Sequence, residues 1–150
     1  MKIEDLLVPV DFSPSSEHGI RFAKSLIGSE KGEIHLLHVV DAGFVARAVE
    51  EGFGVQDEVT AAMRERAEGL LAALAEKYVD EALSINSVVV VGKPFLEILR
   101  LAKQLEFEMI VMGMRGRHES VEQALFGSTS ERVLRAAPCP VVCVPFAPQD

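Results

Sequence analysis

The sequence has only two cysteines, Cys139 and Cys143, in 150 residues. Four residues apart on a strand, they share a face but lie too far apart to bridge directly. Two cysteines alone also do not make a zinc site. We therefore expect one loop thiol and one buried core thiol, and no metal centre.

Basic residues are in deficit. Fifteen Lys and Arg face 23 Asp and Glu, which gives a formal net charge of −8. This balance argues against a broad electrostatic grip on nucleic acid. It does not exclude a nucleotide, because a cradle of backbone N–H groups needs no net positive charge.

Long apolar runs are absent, and none approaches the length that spans a membrane. Residues 1–5 lack the features of a signal peptide. Internal repeats, low-complexity segments and interdomain linkers are also absent. We expect one domain over residues 1–150, located in the cytoplasm, without membrane association.

Several catalytic and phosphate-binding motifs are missing as well. No Lys-Ser or Lys-Thr pair follows the last glycine of the glycine-rich stretch described below, which excludes a P-loop. The third glycine of that stretch comes too late for the dinucleotide-binding fingerprint. No Ser-His-Asp or Cys-His arrangement is legible, so we predict no catalytic residues.

Apolar strands alternate with helical patterns along the chain. Ser13 followed by Pro14 is a typical helix start, and a long apolar stripe predicts another helix over 57–78. The segment from Asp41 to Gly54 is either a short helix or a mobile flap. The predicted strands are Ile3–Val10, Ile34–Val40, Ser87–Val91, Phe107–Met112 and Val141–Val144. The stripe consists of Val59, Met63, Ala67, Leu70, Leu74 and Tyr78. This βαβαβαβαβ pattern predicts a parallel sheet covered by helices on both faces.

A glycine-containing stretch follows the fourth strand. Gly113 and Gly116 come directly after it, and Gly127 precedes Ser128, which has the capping-box spacing to Glu131. Glycines allow close backbone approach, and a helix start favours an anion such as phosphate. The alternative is a plain turn between strand and helix. Ligands in parallel sheets sit at the carboxyl ends of strands, where this stretch would meet Asp11 and the residues after the second strand.

The chain resembles the nucleotide-binding branch of the universal stress protein family along nearly its whole length. The segments that carry the resemblance are LLVPVDFS, LLHVVD, VGKPFLEIL, MIVMGMRG and GSTSERVLRAAPCPVVCV. The family motif has two glycines separated by two residues, then nine residues, then Gly-Ser or Gly-Thr. Here Gly113, Gly116, Gly127 and Ser128 match, but the middle gap is ten residues. We interpret the additional residue as a bulge in the loop.

The resemblance implies an open, doubly wound, Rossmann-like sheet of five strands in the order 3-2-1-4-5. It also implies bound ATP, with or without Mg²⁺. The implied contacts are Asp11 and Val39 at the adenine, with Pro9 and Val10 beside them; Met112 and Gly113 under the ribose; and Gly116, Gly127, Ser128 and Thr129 at the phosphates.

Some of these roles have competing explanations. Asp11 either accepts from the adenine amino group or caps the following turn, with equal weight. Val39 is a core residue unless the resemblance is granted. Arg115 and Arg117 either neutralise phosphate charge or are solvated loop residues. Glu119 and Glu122 fit a solvated face better than a Mg²⁺ site.

We therefore expect an ATP-binding regulatory or stress-response module without a positioned catalytic group, and at most slow ATP hydrolysis. The alternatives are an ATP-hydrolysing or adenylyl-handling enzyme on the same scaffold, and a stress protein dimer that binds no nucleotide. The family also implies a homodimer through Val141–Val144, an edge strand without charged residues. A downstream protein partner is expected, but its identity is not encoded in any motif.

Overall fold

The structure is a computed structural model that describes residues 3–114 and 128–145. Five parallel strands form one sheet in the order β3-β2-β1-β4-β5. The strands are β1 (Asp5–Pro9), β2 (Gly32–Asp41), β3 (Leu83–Gly92), β4 (Met109–Gly113) and β5 (Val141–Val144). The helices are α1 (Pro14–Ile27), α2 (Ala42–Glu50), α3 (Gln56–Tyr78), α4 (Pro94–Leu105) and α5 (Ser128–Ala136). The predicted fold class and strand order are confirmed.

Helices cover both faces of the sheet. Successive residues of a strand point to opposite sides, so apolar side chains lie on both faces and pack against helices there. On β1, Leu6 and Val8 pack in one cluster with α1 and α3. Leu7 packs in a second cluster with α4 and α5. All three side chains have no exposed surface, as expected for a parallel sheet buried on both faces. None of the described helices has the length and apolar character needed to cross a membrane.

Helix α1 begins as its sequence predicts. Ser13 is the N-cap, its Oγ accepts from the Ser16 N–H at 3.1 Å, and Pro14 occupies the first turn. Ile20, Ala23 and Ile27, spaced three or four residues apart on one helix face, are buried. The start of the helix is therefore fixed beside the carboxyl end of β1.

Helix α3 is buried on a slightly different face from the predicted one. Leu70, assigned to the buried stripe, is 39% exposed, whereas Leu71 has no exposed surface. Ala67 and Tyr78 are buried as expected. Both leucines fit an apolar helical period, and contacts with α1 and the sheet select Leu71.

Strand β3 is longer than predicted, and the segment after β2 is helical. The strand begins at Leu83 rather than Ser87, because Asp80 Oδ1 accepts from the N–H groups of Ala82 and Leu83 and turns the chain into register with Gly32. The segment after β2 forms α2, the helical one of the two expectations. Its N-cap is Asp41.

The two thiols are free, and both are half-buried. Cys139 and Cys143 pack at the border of the α4–α5 cluster. Burial raises the pKa of both thiols, which favours the unreactive protonated form. Cys139 lies in the loop before β5, as predicted for one of the two, whereas Cys143 on β5 is half-buried and not the fully buried core thiol that was expected.

Candidate functional site

A cavity of about 860 Å³ lies at the carboxyl ends of β1, β2 and β4. This is the position where the strand order reverses, between β1 and β4. All the predicted site residues within the described ranges line it: Pro9, Val10, Asp11, Val39, Met112, Gly113, Ser128 and Thr129. Residues from four separate stretches thus converge on one space large enough for a small-molecule ligand.

The β1 end of the cavity is organised by Asp11. Its Oδ1 accepts from the Ser13 backbone N–H at 3.0 Å and from the Ser13 hydroxyl. The same hydroxyl oxygen accepts from Ser16 and caps α1. The turn-capping role of Asp11 is therefore present in the structure, while the adenine contact remains a prediction.

Phe12 and His38 form a second wall next to Asp11. Phe12 has φ = 65°, a left-handed conformation that is uncommon for a non-glycine residue. Its ring lies 4.5 Å from the His38 ring, centroid to centroid. His38 Nδ1 lies 2.7 Å from the carbonyl oxygen of Val10, and since a carbonyl only accepts, Nδ1 carries the hydrogen. Both residues line the cavity, and sequence patterns did not single them out.

Gly113 ends β4 at the floor of the cavity, and its lack of a side chain has a packing cause. A Cβ at this position would lie 2.7 Å from the carbonyl oxygen of Ser15 and 2.8 Å from its carbonyl carbon. The start of α1 therefore approaches β4 too closely for any larger residue. The carbonyl of Gly113 also accepts from the buried Ser130 hydroxyl of α5 at 2.8 Å.

The start of α5 forms the wall beside β4. The predicted helix is present, and Ser128 and Thr129 line the cavity. The N-terminal end of a helix attracts anions through free N–H groups and the helix dipole. Glu131, the expected capping-box partner, accepts from Arg135 at 2.7 Å, and its capping role stays a prediction. The predicted residues Arg115, Gly116, Arg117 and Gly127, like Glu119 and Glu122, lie outside the described residues.

Helices α2 and α3 supply lining residues that no sequence pattern had indicated, including Phe44, Arg47, Met63 and Arg66. The Arg47 guanidinium lies over the Phe44 ring, 5.7 Å from its centroid. Each pair is three residues apart and so lies on one helix face. That spacing places each pair on one helix face, but only the tertiary structure shows that both faces turn towards the strand ends.

A separate polar cluster lies at the amino ends of the strands, away from the cavity. His35 Nε2 is 3.1 Å from Asp5 Oδ1 and 3.3 Å from Glu33 Oε1. Burial raises the pKa of the Asp5 carboxyl. Within residues 3–114 and 128–145, these three are the one group of histidine and acidic side chains close enough together to hold a metal ion. They are not near the predicted nucleotide site.

The profile of the universal stress protein family matches residues 2–145. A universal stress protein of Methanocaldococcus jannaschii is 25% identical, and the alignment covers 93% of each chain. Its solved structure superposes with a TM-score of 0.86 at 26% identity, covering 99% of each chain.

Two more distant structures share the fold and contain adenine nucleotides. One is a universal stress protein in complex with cAMP, with a TM-score of 0.61 at 17% identity, covering 98% of this chain and 100% of that one. The other is a family protein of Arabidopsis thaliana with AMP bound, with a TM-score of 0.66 at 16% identity, covering 98% and 94%.

Proposed function

The chain belongs to the universal stress protein family, and from this premise we propose that it is an ATP-binding regulatory protein of the stress response that acts as a homodimer. The observation that carries the proposal is the cavity at the β1/β4 switch point, which every described residue of the predicted nucleotide site lines. The cAMP and AMP complexes of two distant family members support an adenine nucleotide as ligand.

In the proposed arrangement, the adenine lies beside Asp11 and Val39, and the ribose lies over Met112. The phosphates face the start of α5 at Ser128 and Thr129, where the helix dipole favours negative charge. Gly116 and Gly127 belong to the same proposed phosphate site by family resemblance. Mg²⁺, where present, is bound by the phosphates in this proposal, and no protein residue is assigned as its ligand.

The binding test combines identification and titration. Denaturing the purified protein and measuring the mass of any released nucleotide identifies what it carries. Calorimetric titration with ATP is then run on wild type and on Gly116→Val, in which a branched side chain should block close backbone approach. Gly69→Val is the matched control, because at that exposed position of α3 a Cβ would meet no atom within 4 Å apart from the backbone of its own helix. Equal ATP affinity in all three proteins would overturn the site assignment.

Base selection by Asp11 needs a control for its structural role. We expect ATP to bind more tightly than GTP, and Asp11→Ala to reduce this preference by about one to two decades, the scale of a hydrogen bond to a charged group. Ser13→Ala weakens the same turn while keeping the carboxylate. If both variants change the ATP to GTP ratio equally, the effect comes from the turn and not from a base contact.

The two edges of the sheet differ, which supports a dimer through β5. On β3, Gly32 donates to Ala82, so the odd-numbered residues of β3 face the open edge. One of their carbonyls, that of Val89, already accepts from Arg64 of α3 at 3.1 Å. The residues of β5 are Val141–Val144, none of them charged, and such an edge is open to pairing with a second chain.

The hydrogen bonds to β4 identify which β5 residues face outward. The carbonyls of Pro140 and Val144 accept from β4, so Val142, at the same alternation, also faces inward. The N–H group of Cys143 therefore faces the open edge. In a two-fold dimer this group would pair with the partner strand in antiparallel orientation.

Proline and alanine variants test this interface. Val142→Pro should damage the sheet, because it removes an inward donor. Cys143→Pro should fold but dimerise weakly, whereas Cys143→Ala keeps the donor and should remain dimeric. Sedimentation measures the assembly, and circular dichroism measures the fold. A folded, fully dimeric Cys143→Pro protein would show that the interface lies elsewhere.

A further inference from the structure

Three of the described arginines make no salt bridge with a described carboxylate. Arg21, Arg64, Arg100 and Arg135 are paired with Glu17, Glu68, Glu97 and Glu131 respectively. Within residues 3–114 and 128–145, Arg47, Arg66 and Arg132 have no such partner. In a protein of net charge −8, these three arginines differ from the others because no described carboxylate lies within salt-bridge distance of them.

Two of these three arginines line the cavity, Arg47 from α2 and Arg66 from α3. Helices α2 and α3 pack on one face of the sheet and α5 packs on the other, so the two arginines and the start of α5 border the cavity from two sides. Arg47 is held against Phe44. Arg66 is exposed, so its side chain loses conformational entropy when it becomes ordered, and the interaction with an anion must offset that loss.

The two described carboxylates of the cavity are engaged with backbone groups. Asp11 Oδ1 accepts from Ser13, and Asp41 Oδ1 accepts from the Gly43 N–H at 2.9 Å as the cap of α2. Each carboxylate holds a turn or a helix start and neither is within salt-bridge distance of Arg47 or Arg66. The two guanidinium groups are therefore the cations that the described cavity wall offers to a ligand.

We propose that Arg47 and Arg66 bind the phosphate chain and make the cavity select nucleoside triphosphates over nucleoside monophosphates and nucleosides. This inference rests on the proposed function and adds the number of phosphates that the site requires. Guanidinium groups suit phosphate oxygens because they present several N–H donors in one plane. The attraction grows with each added negative charge, so a triphosphate gains more than AMP, and adenosine gains nothing.

The test compares Arg47→Gln and Arg66→Gln with Arg132→Gln by calorimetric titration of ATP, AMP and adenosine. Arg132 is the matched control: its guanidinium also lacks a described carboxylate partner, but it lies over Phe95 and does not line the cavity. We expect each cavity variant to lose about tenfold or more in ATP affinity, less in AMP affinity and none in adenosine affinity. The dependence of ATP affinity on salt should also become weaker. Arg66→Lys should restore part of the loss, because it keeps the charge.

Two outcomes overturn this inference while leaving the proposed function intact. The first is ATP binding by both cavity variants with the affinity of Arg132→Gln. The second is an equal loss for ATP and adenosine, which would mean that the arginines contact the base or ribose. A wild-type protein that binds none of the three ligands would instead overturn the proposed function, and this inference with it.

Discussion

Replacing Gly113 by alanine should destabilise the protein even when no ligand is present. The new Cβ would lie 2.7 Å from the carbonyl oxygen of Ser15, a backbone atom at the start of α1. Unlike a flexible side chain, this atom moves only if α1 shifts against β4. That shift would also disturb the Ser130 hydrogen bond to the Gly113 carbonyl.

The expected magnitude combines two opposing effects. Overpacking a tight contact typically costs about 1–3 kcal/mol, and a backbone neighbour places this case in the upper half. Replacing glycine reduces the entropy of the unfolded chain, which returns about 0.4–1 kcal/mol. The net loss for Gly113→Ala should be about 2 kcal/mol.

Gly69→Ala is the control with the opposite sign. Position 69 lies within α3, and its Cβ would meet no atom within 4 Å apart from the backbone of its own helix. Alanine is favoured over glycine inside a helix by about 0.8–1 kcal/mol, so this variant should be more stable than wild type. Urea unfolding without nucleotide measures both changes from the midpoints and slopes. If Gly113→Ala unfolds at the same urea concentration as wild type, the close approach of α1 is not the reason for the glycine.

Two further predictions concern α3. Glu17 Oε2 accepts from Lys77 at 2.6 Å and from the Tyr78 hydroxyl, and these bonds hold the pKa of the Glu17 carboxyl below its usual value. The Glu17 carboxylate should therefore stabilise the fold at neutral pH, and this contribution should fade as the pH falls below about 4. Glu17→Gln should lower the free energy of unfolding in urea by about 1–2 kcal/mol at pH 7 and by clearly less at pH 3. A loss of stability that does not depend on pH would refute this. Leu71→Ala should lower the free energy of unfolding by about 2–5 kcal/mol because the side chain is fully buried. Leu70→Ala, at a position 39% exposed, should lower it by less than about 1 kcal/mol. Equal urea midpoints for the two alanine variants would contradict the assignment of Leu71 to the buried face of α3.

The fold followed from the sequence because its signals are local and repeated. Apolar strands that alternate with amphipathic helices specify a parallel sheet. The pair Ser13-Pro14 marks the start of a helix without any tertiary information. The position of the cavity followed from the same pattern, because the carboxyl ends of parallel strands meet at one edge. The family resemblance, rather than periodicity, supplied the strand order.

Contacts between distant residues explain what the sequence did not predict. Leu70 and Leu71 both suit an apolar stripe, and only packing against α1 and the sheet selects Leu71. Arg47 and Arg66 are ordinary surface arginines in the sequence until α2 and α3 are placed over the strand ends. The absence of a side chain at Gly113 was attributed to a ligand, but its neighbour in the structure is Ser15, almost a hundred residues earlier.

These contacts mean that the candidate site and the fold share the same atoms. Asp11 and Ser13 hold the start of α1, Gly113 receives it, and Ser130 attaches α5 to the end of β4. A variant at any of these residues therefore changes the stability of the empty protein before it changes affinity. A ligand that binds only the folded state adds about 2.7 kcal/mol of stability at a hundredfold excess over Kd. Binding and folding are thus separated by the stability that ATP adds to each variant, and not by the variant's melting temperature. Substituting a residue that contacts ATP lowers this added stability. Substituting a purely structural residue lowers the stability of the protein without ATP and leaves the added stability unchanged.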